Sequence, residues 1–249
     1  SWPRILSFDM GGTTAKACLI EGGVPLEKPG GEVGAAATMT TRLFGGGGHV
    51  LRVPWLDIVE VGAGGGSLAW VDEGGALRVG PQSAGADPGP VCYGRGGTQA
   101  TVTDANVVLG YMHPDAIAGD TLTLDRDAAR AVIERDIARP LDLSVQEAAY
   151  GITQVANATM MRALRAVSTE RGRDPRGFSL LPFGGAGPMH AAALAESLGI
   201  KTIEVPPYSG LFSALGLLLA EYRQDYVKSV ARALDVVEPE DLAAVVSDC

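Results

Sequence analysis

Near its start the chain carries Phe8-Asp9-Met10-Gly11-Gly12-Thr13-Thr14, an acid at the end of an apolar run followed by two glycines and two hydroxyls. Glycines in such a turn let backbone N–H groups approach phosphate oxygens with no side chain in the way. Asp9 is then placed to hold a hydrated Mg2+ or to orient water, with Thr13 and Thr14 donating to phosphate. The same residues also describe an ordinary hairpin closed by a Gly-Gly turn, so the motif alone leaves both readings open. A second motif, Phe183-Gly184-Gly185-Ala186-Gly187-Pro188, sits at a strand-to-helix junction. There a flat adenine or ribose would lie against bare backbone and the helix N-terminus would face an anion. Its alternative is a tight turn that packs helix on strand.

Between these motifs, residues 62–67 and 80–90 free much backbone amide for carboxylate or carbonyl groups of a substrate. The polar candidates in that segment are Asp57, Glu60, Asp87, Asp104 and Asn106, with Asp104 and Asn106 ranked first as catalytic residues beside Asp9. Each has a structural alternative: Asp104 as a helix cap, Asp87 before Pro88 as a turn former, and Asp57 and Glu60 as solvated strand residues. His49 and His113 read as surface loop residues. His190, in the first helical turn after the second motif, either faces bound nucleotide or packs locally, and local packing is the preferred reading. No HxH or HExxH spacing points to a histidine-rich metal site.

The elements that must position these groups follow from pattern. Residues 5–8 and 17–20 are apolar runs on either side of the first glycine turn, a two-stranded hairpin. Residues 22–48 are rich in Gly, Ala and Thr, with a flexible run at 45–48. Residues 53–61, 68–71 and 77–79 read as strands, and 80–103 is too dense in Gly and Pro for regular structure. The second half turns helical, with a short candidate at 104–111 and one at 127–138 capped by Asp125. Ser144 and Glu147 have capping-box spacing, and Val145, Ala148, Ile152, Val155, Thr159, Leu164 and Val167 recur at helical intervals behind them. A strand at 178–183, a helix from Pro188 to Leu198 ended by Gly199, a strand at 200–205 and a helix from Gly210 capped by Ser209 complete an α/β order. The apolar stretch 211–220 is too short for a membrane span of roughly 20 residues and reads as a buried helix.

Composition narrows the classes. With 249 residues and 46% hydrophobic content the chain supports a substantial core, and its 34 glycines lie in short runs where backbone must pass close to something. Lys and Arg total 20 against 29 Asp and Glu, a net charge of −9 that repels nucleic acid. Cys18, Cys92 and Cys249 lack CxxC spacing, which suggests a reducing, cytoplasmic compartment and neither a disulfide framework nor a zinc site. The opening Ser1-Trp2-Pro3-Arg4 has no initiator Met and no signal-peptide layout, and is expected to begin a piece of a longer or processed polypeptide.

Taken together and in order, a DxGGT hairpin, a long helical stretch and a strand-GGxG-helix resemble the second lobe of the superfamily containing actin, the sugar kinases and the heat-shock ATPase chaperones. A narrower resemblance runs from Ile5 to about Tyr222. It rests on 7–13, 61–67 (Val-Gly-Ala-Gly-Gly-Gly-Ser), 78–90 (Arg-Val-Gly-Pro-Gln-Ser-Ala-Gly-Ala-Asp-Pro-Gly-Pro), 101–106 (Thr-Val-Thr-Asp-Ala-Asn) and 183–188, which are similar to the hydantoinase A, 5-oxoprolinase and acetone-carboxylase-subunit family. The resemblance implies a ribonuclease H-like α/β lobe, a mixed sheet flanked by helices, with an inserted glycine-rich loop and strand region at about 22–112. One domain is expected over 1–222, and 223–249 is expected to start a truncated following segment.

It further implies ATP and Mg2+ as cofactors, with Gly11, Gly12, Thr13 and Thr14 on phosphate, Gly184, Gly185 and Gly187 on adenosine, and Asp9 at the metal. The implied activity is ATP-dependent opening of a cyclic amide such as 5-oxoproline, hydantoin or N-methylhydantoin through a phosphorylated intermediate. The carboxylase branch would use ATP to activate a substrate for carboxylation. No second DxGGT occurs in the chain, so the expected partners are an N-terminal lobe of the same polypeptide and a second catalytic subunit or domain, with no membrane or nucleic acid; alone, the chain would be inactive. A non-catalytic binding or assembly module is the remaining alternative. The hairpin also departs from the family, which commonly continues it with Ser or Thr and then Asp: Ala15 and Lys16 stand here instead, a cation that adds to phosphate binding or a plain strand lysine.

Overall fold

The structure, a computed structural model, describes residues 4–28, 30–33, 49–51, 53–113, 123–222 and 224. The expected flexible run at 45–48 and, apart from Gln224, the expected following segment at 223–249 lie outside them. The chain divides into one unit of Ser1–Pro25 with Ile58–Leu219 and another of Leu26–Asp57 with Ala220–Cys249.

Strand β1 (Arg4–Met10) alternates as a half-buried strand must: Leu6, Phe8 and Met10 are fully buried, while Ile5, Ser7 and Asp9 point the other way and are partly accessible. Each of those three buried side chains is worth about 1.5–3 kcal/mol. β1 turns into antiparallel β2 (Ala15–Glu21), which also pairs with β3 (Val24–Pro25). In the smaller unit, β4 (Glu27–Lys28) pairs with β7 (Trp55–Leu56), and β5 (Gly31–Val33) with β6 (His49–Leu51). β8 (Val59–Val61) returns to the main sheet beside β2, so the strand expected over 53–61 is two short strands that belong to different sheets. β9 (Ser67–Val71) and β10 (Leu77–Ser83) form a separate antiparallel pair.

Helix α1 (Val102–Val108) begins two residues before its expected start, because Thr101 and Asp104 form a capping box. Asp125 caps α2 (Arg126–Ile133), which continues through a π turn at Glu134–Ala138 into α3 (Arg139–Leu141). α4 (Val145–Val167) carries the expected Ser144–Glu147 capping box and packs against β2, β8 and β10. Its buried stripe drifts from the expected one: Val155 and Thr159 are half-buried, and Ala156 and Met160 take their places at true helical spacing. β11 (Ser179–Phe183) lies parallel to β1, and α5 (Gly187–Leu198), ended by Gly199 in the left-handed region, covers β1 and β11. The main sheet is therefore mixed, in the order β11-β1-β2-β3 with β8 also on β2.

Two expectations near the end do not hold. Residues 200–205 pair with β11 only around one bridge, Leu180 with Ile203, where Leu180 N–H donates to the Thr202 carbonyl and Glu204 N–H to the Leu180 carbonyl, both at 2.9 Å. The last helix, α6 (Phe212–Leu219), follows a tight turn at Ser209–Leu211 without a Ser209 side-chain cap. It is not buried: Leu217, Leu218 and Leu219 are 79%, 83% and 73% exposed. High hydropathy reports a tendency to be covered and says nothing of what covers it. Among the described residues no helix is long and apolar enough to cross a membrane.

Candidate functional site

The register of β1 on β11 sets Asp9 opposite Phe183, so the glycine turn after β11 leaves the sheet at the same end as the hairpin after β1. The hairpin closes with Gly11 N–H donating to the Thr14 carbonyl at 3.1 Å, and the second turn docks on β1 through Ala186 N–H and the Met10 carbonyl at 2.9 Å. Gly184 is required there. Its φ is +80°, and a Cβ would collide with Asp9 Oδ1 and the Met10 carbonyl. At Gly11, Gly12 and Gly185, by contrast, a Cβ would meet nothing within 4 Å. Those three look onto open space, beside the exposed Thr13 and the partly accessible Asp9.

A further layer holds this face from behind. Gly65 N–H donates to the Gly11 carbonyl at 3.0 Å and Gly66 N–H to the Gly12 carbonyl at 2.6 Å. A Cβ on Gly64 would lie 2.6 Å from the Gly12 carbonyl oxygen, so Gly64 must be bare to lie against the hairpin, while a Cβ on Gly65 would meet the Thr103 hydroxyl at 2.8 Å. Thr103, at the start of α1, pins the run by donating its N–H (2.7 Å) and hydroxyl (2.8 Å) to the Gly65 carbonyl.

Asp104 and Asn106 are brought to this support and not to the open face; both are fully buried. The Asp104 carboxylate accepts from the N–H groups of Val91 (3.3 Å), Cys92 (2.8 Å) and Thr101 (3.0 Å) and from the Thr101 hydroxyl (2.7 Å). Four protein donors occupy its two oxygens, which is the geometry of a helix cap and loop anchor. Its negative charge and burial push the Cys92 thiol far above its usual range, burial contributing most. Asn106 Nδ2 lies 3.3 Å from His190 Nε2, and His190 Nδ1 lies 2.7 Å from Asn157 Oδ1. An amide oxygen only accepts, so Nδ1 carries the proton and Nε2 accepts from Asn106. Burial lowers the His190 pKa to about 4 and keeps the ring neutral. His190 thus packs locally, the reading preferred from sequence.

The other candidates disperse. Asp57 is buried and paired with Lys28 Nζ at 2.6 Å, Asp87 is exposed in its loop, and Glu60 pairs with Lys16 at 3.5 Å. Lys16 also donates to the Thr14 hydroxyl at 3.0 Å, so it braces the hairpin flank. His49 and His113 are exposed. Among the described residues no three His, Cys, Asp or Glu side chains gather to hold a metal. A single carboxylate beside bare amides suits a cation bound mostly by phosphate oxygens and water, the manner of nucleotide-borne Mg2+, and the open space over Gly11, Gly12 and Gly185 suits the nucleotide itself.

A family model described as hydantoinase/oxoprolinase matches residues 3–226. The chain belongs to the hydantoinase/oxoprolinase family. It is 41% identical over 236 residues to the caprolactamase alpha subunit of Pseudomonas jessenii, covering 93% of this chain and 32% of that protein. It is 39% identical over 257 residues to 5-oxoprolinase 1 of Arabidopsis thaliana, covering 97% of this chain and 19% of that one. Among solved structures, a nucleotide-free acetone carboxylase described as ATP-dependent superposes with a TM-score of 0.79 at 31% identity, over 99% of this chain and 33% of that one. The chain thus spans about a third or less of the length of these relatives. The mixed sheet flanked by helices is the actin-like ATPase fold that the resemblance implies.

Within this hydantoinase/oxoprolinase fold, sequence reasoning missed Ser83 and Ser213. Ser83 Oγ lies 3.5 Å from Thr13 Oγ1, and Ser213 Oγ donates to Asp9 Oδ2 at 3.1 Å. Ser83 lies within the 78–90 motif, but nothing local names its partner or that of Ser213, which are 70 and 204 residues away.

Proposed function

We propose that this chain forms the phosphate- and adenosine-binding wall of an ATP-dependent enzyme that opens a cyclic amide. The observation that carries the reading is the meeting of the Asp9 carboxylate, the bare tip Gly11–Gly12 and the turn Gly184–Gly187 at one end of the sheet. Asp9 holds the metal or its water. Thr13 and Thr14 donate to phosphate, and Gly184, Gly185 and Gly187 give adenosine a flat backbone surface. Asp104 and Asn106 act from beneath as positioning residues, Asp104 by capping the helix that carries Thr103 and Asn106 through His190. An unstrained amide is a poor electrophile with a poor leaving group; transfer of the γ-phosphoryl group of ATP to its carbonyl oxygen, with ADP leaving, would make the carbon attackable by water, after which loss of phosphate and cleavage of the C–N bond open the ring to a carboxylate and an amine.

The relatives' names favour caprolactams and 5-oxoproline as the substrate class. A second reading, activation for carboxylation, is favoured by the acetone carboxylase likeness over 99% of this chain. Either activity would need an opposite lobe and a partner subunit, since one wall alone leaves the triphosphate in water, where charge interactions are weak. Coupled ADP release by the complete enzyme with 5-oxoproline, hydantoin, caprolactam, and ketone plus bicarbonate separates the readings. Asp9→Ala should lower turnover at least about tenfold with whichever substrate is active. Unchanged turnover would return the hairpin to a purely structural role.

A further inference from the structure

The Asp9 side chain is confined from two directions. On one side lies the bare Cα of Gly184, where any Cβ would collide with Oδ1. On the other, Ser213 Oγ donates to Oδ2 at 3.1 Å. The serine comes from the first turn of α6, and that turn is itself fastened to the glycine loop. Gly184 N–H donates to the Ser209 carbonyl at 2.9 Å, and the Phe212 ring stands edge-on to Phe183 with centroids 5.2 Å apart. Two anchors, one polar and one aromatic, therefore deliver a hydroxyl to the carboxylate from 204 residues away.

Resting on the reading of Asp9 as the group that holds metal or water, we propose that Ser213 is a positioning residue that fixes the Asp9 rotamer so that Oδ1 faces the bound phosphates. A carboxylate at a strand end has a broad, roughly two-fold terminal torsion. One donor on Oδ2 removes that freedom and holds the other oxygen on the side of the Gly184 turn, in space that only a residue without a Cβ leaves open. The hydroxyl is the element that matters: threonine keeps it and alanine removes it. Alanine at this exposed position in a helix is no burden on folding.

The test is a double-mutant cycle in the complete enzyme, read both as ATP turnover and as Mn2+ affinity by electron paramagnetic resonance in the presence of ADP, with the thermal midpoint as a check on folding. Ser213→Ala should lower turnover and weaken Mn2+ binding by about five- to tenfold, the loss of one hydrogen bond to a charged group at a partly wet site. Ser213→Thr should restore both to within roughly threefold of the parent. In an Asp9→Asn background, Ser213→Ala should change Mn2+ affinity less than about twofold, because the group through which it acts is already altered. If Ser213→Ala is silent, or its effect is undiminished in the Asp9→Asn background, the positioning role is overturned while the reading of Asp9 stands. If Asp9→Asn alone changes neither turnover nor Mn2+ affinity, that reading fails and the positioning role falls with it.

Discussion

The open face around Gly11, Gly12 and Gly185 and the buried surroundings of Asp104 and His190 both hold residue types suited to chemistry, and they differ in what their atoms touch. In the buried surroundings, four donors occupy the Asp104 carboxylate and two asparagines flank a neutral imidazole. On the open face, glycines present backbone to empty space with an acid beside them. The Asp104 carboxylate, whose oxygens are occupied by protein donors, holds structure in place; bare backbone beside an accessible acid is available to a ligand. The division also runs inside one motif, since Gly184 is glycine because of its neighbours and Gly185 faces none.

Substitutions can break that division, and the largest effect is expected at Gly184. Gly184→Val forces a branched side chain into a positive φ and against Asp9 and Met10, and should cost at least about 5 kcal/mol or prevent soluble folding. A urea midpoint close to that of the parent would show that the turn relaxes and that the division within the motif is unreal. Asp104→Ala should cost roughly 4 kcal/mol by stranding the buried donors of Cys92 and Thr101. Nucleotide affinity measured on the folded fraction should change little; a selective loss of affinity would place Asp104 back among the ligand-binding residues.

His190 sharpens the comparison through pH. Its folded pKa of about 4 lies below the ordinary value of 6.5, so the unfolded chain binds the extra proton in between. The stability due to the neutral ring is complete above about pH 6.5 and is lost as pH falls toward about 4, a change on the order of 3 kcal/mol. Urea midpoints recorded across that window should fall for the parent and stay flatter for His190→Gln; parallel curves would mean that the ring titrates freely. The smallest effect on folding is expected at Gly185. Gly185→Val should leave stability within about 0.5 kcal/mol and weaken nucleotide binding about tenfold by filling the open space. Equal affinity by calorimetry would remove this turn from the adenosine site.

Where order along the chain carried the information, the sequence was readable: the Ser144–Glu147 capping box, Asp125, Pro188 and Gly199 each mark a boundary through contacts within a few residues. The Thr101–Asp104 box obeys the same spacing, but the donors at Val91 and Cys92 that complete the Asp104 shell sit across a loop and leave no local pattern. The bareness of 64–66 was visible, whereas the backbone it lies against, Gly11 to Thr13, was not, since contact between distant glycines leaves no periodicity. For α6, hydropathy described the side chains correctly and failed to tell which surface, if any, they share.

The parallel pairing of β1 with β11 also has a consequence for time. Asp9 lies opposite Phe183, a strand roughly 170 residues downstream, so the strand bearing the candidate metal ligand leaves the ribosome long before its neighbour exists. At about 5–20 residues per second that wait is roughly 10–35 s, far longer than a hairpin needs to form. During synthesis the β1–β2 hairpin must therefore stand with one edge unpaired, and the candidate site at its tip is among the last parts of this unit to be completed.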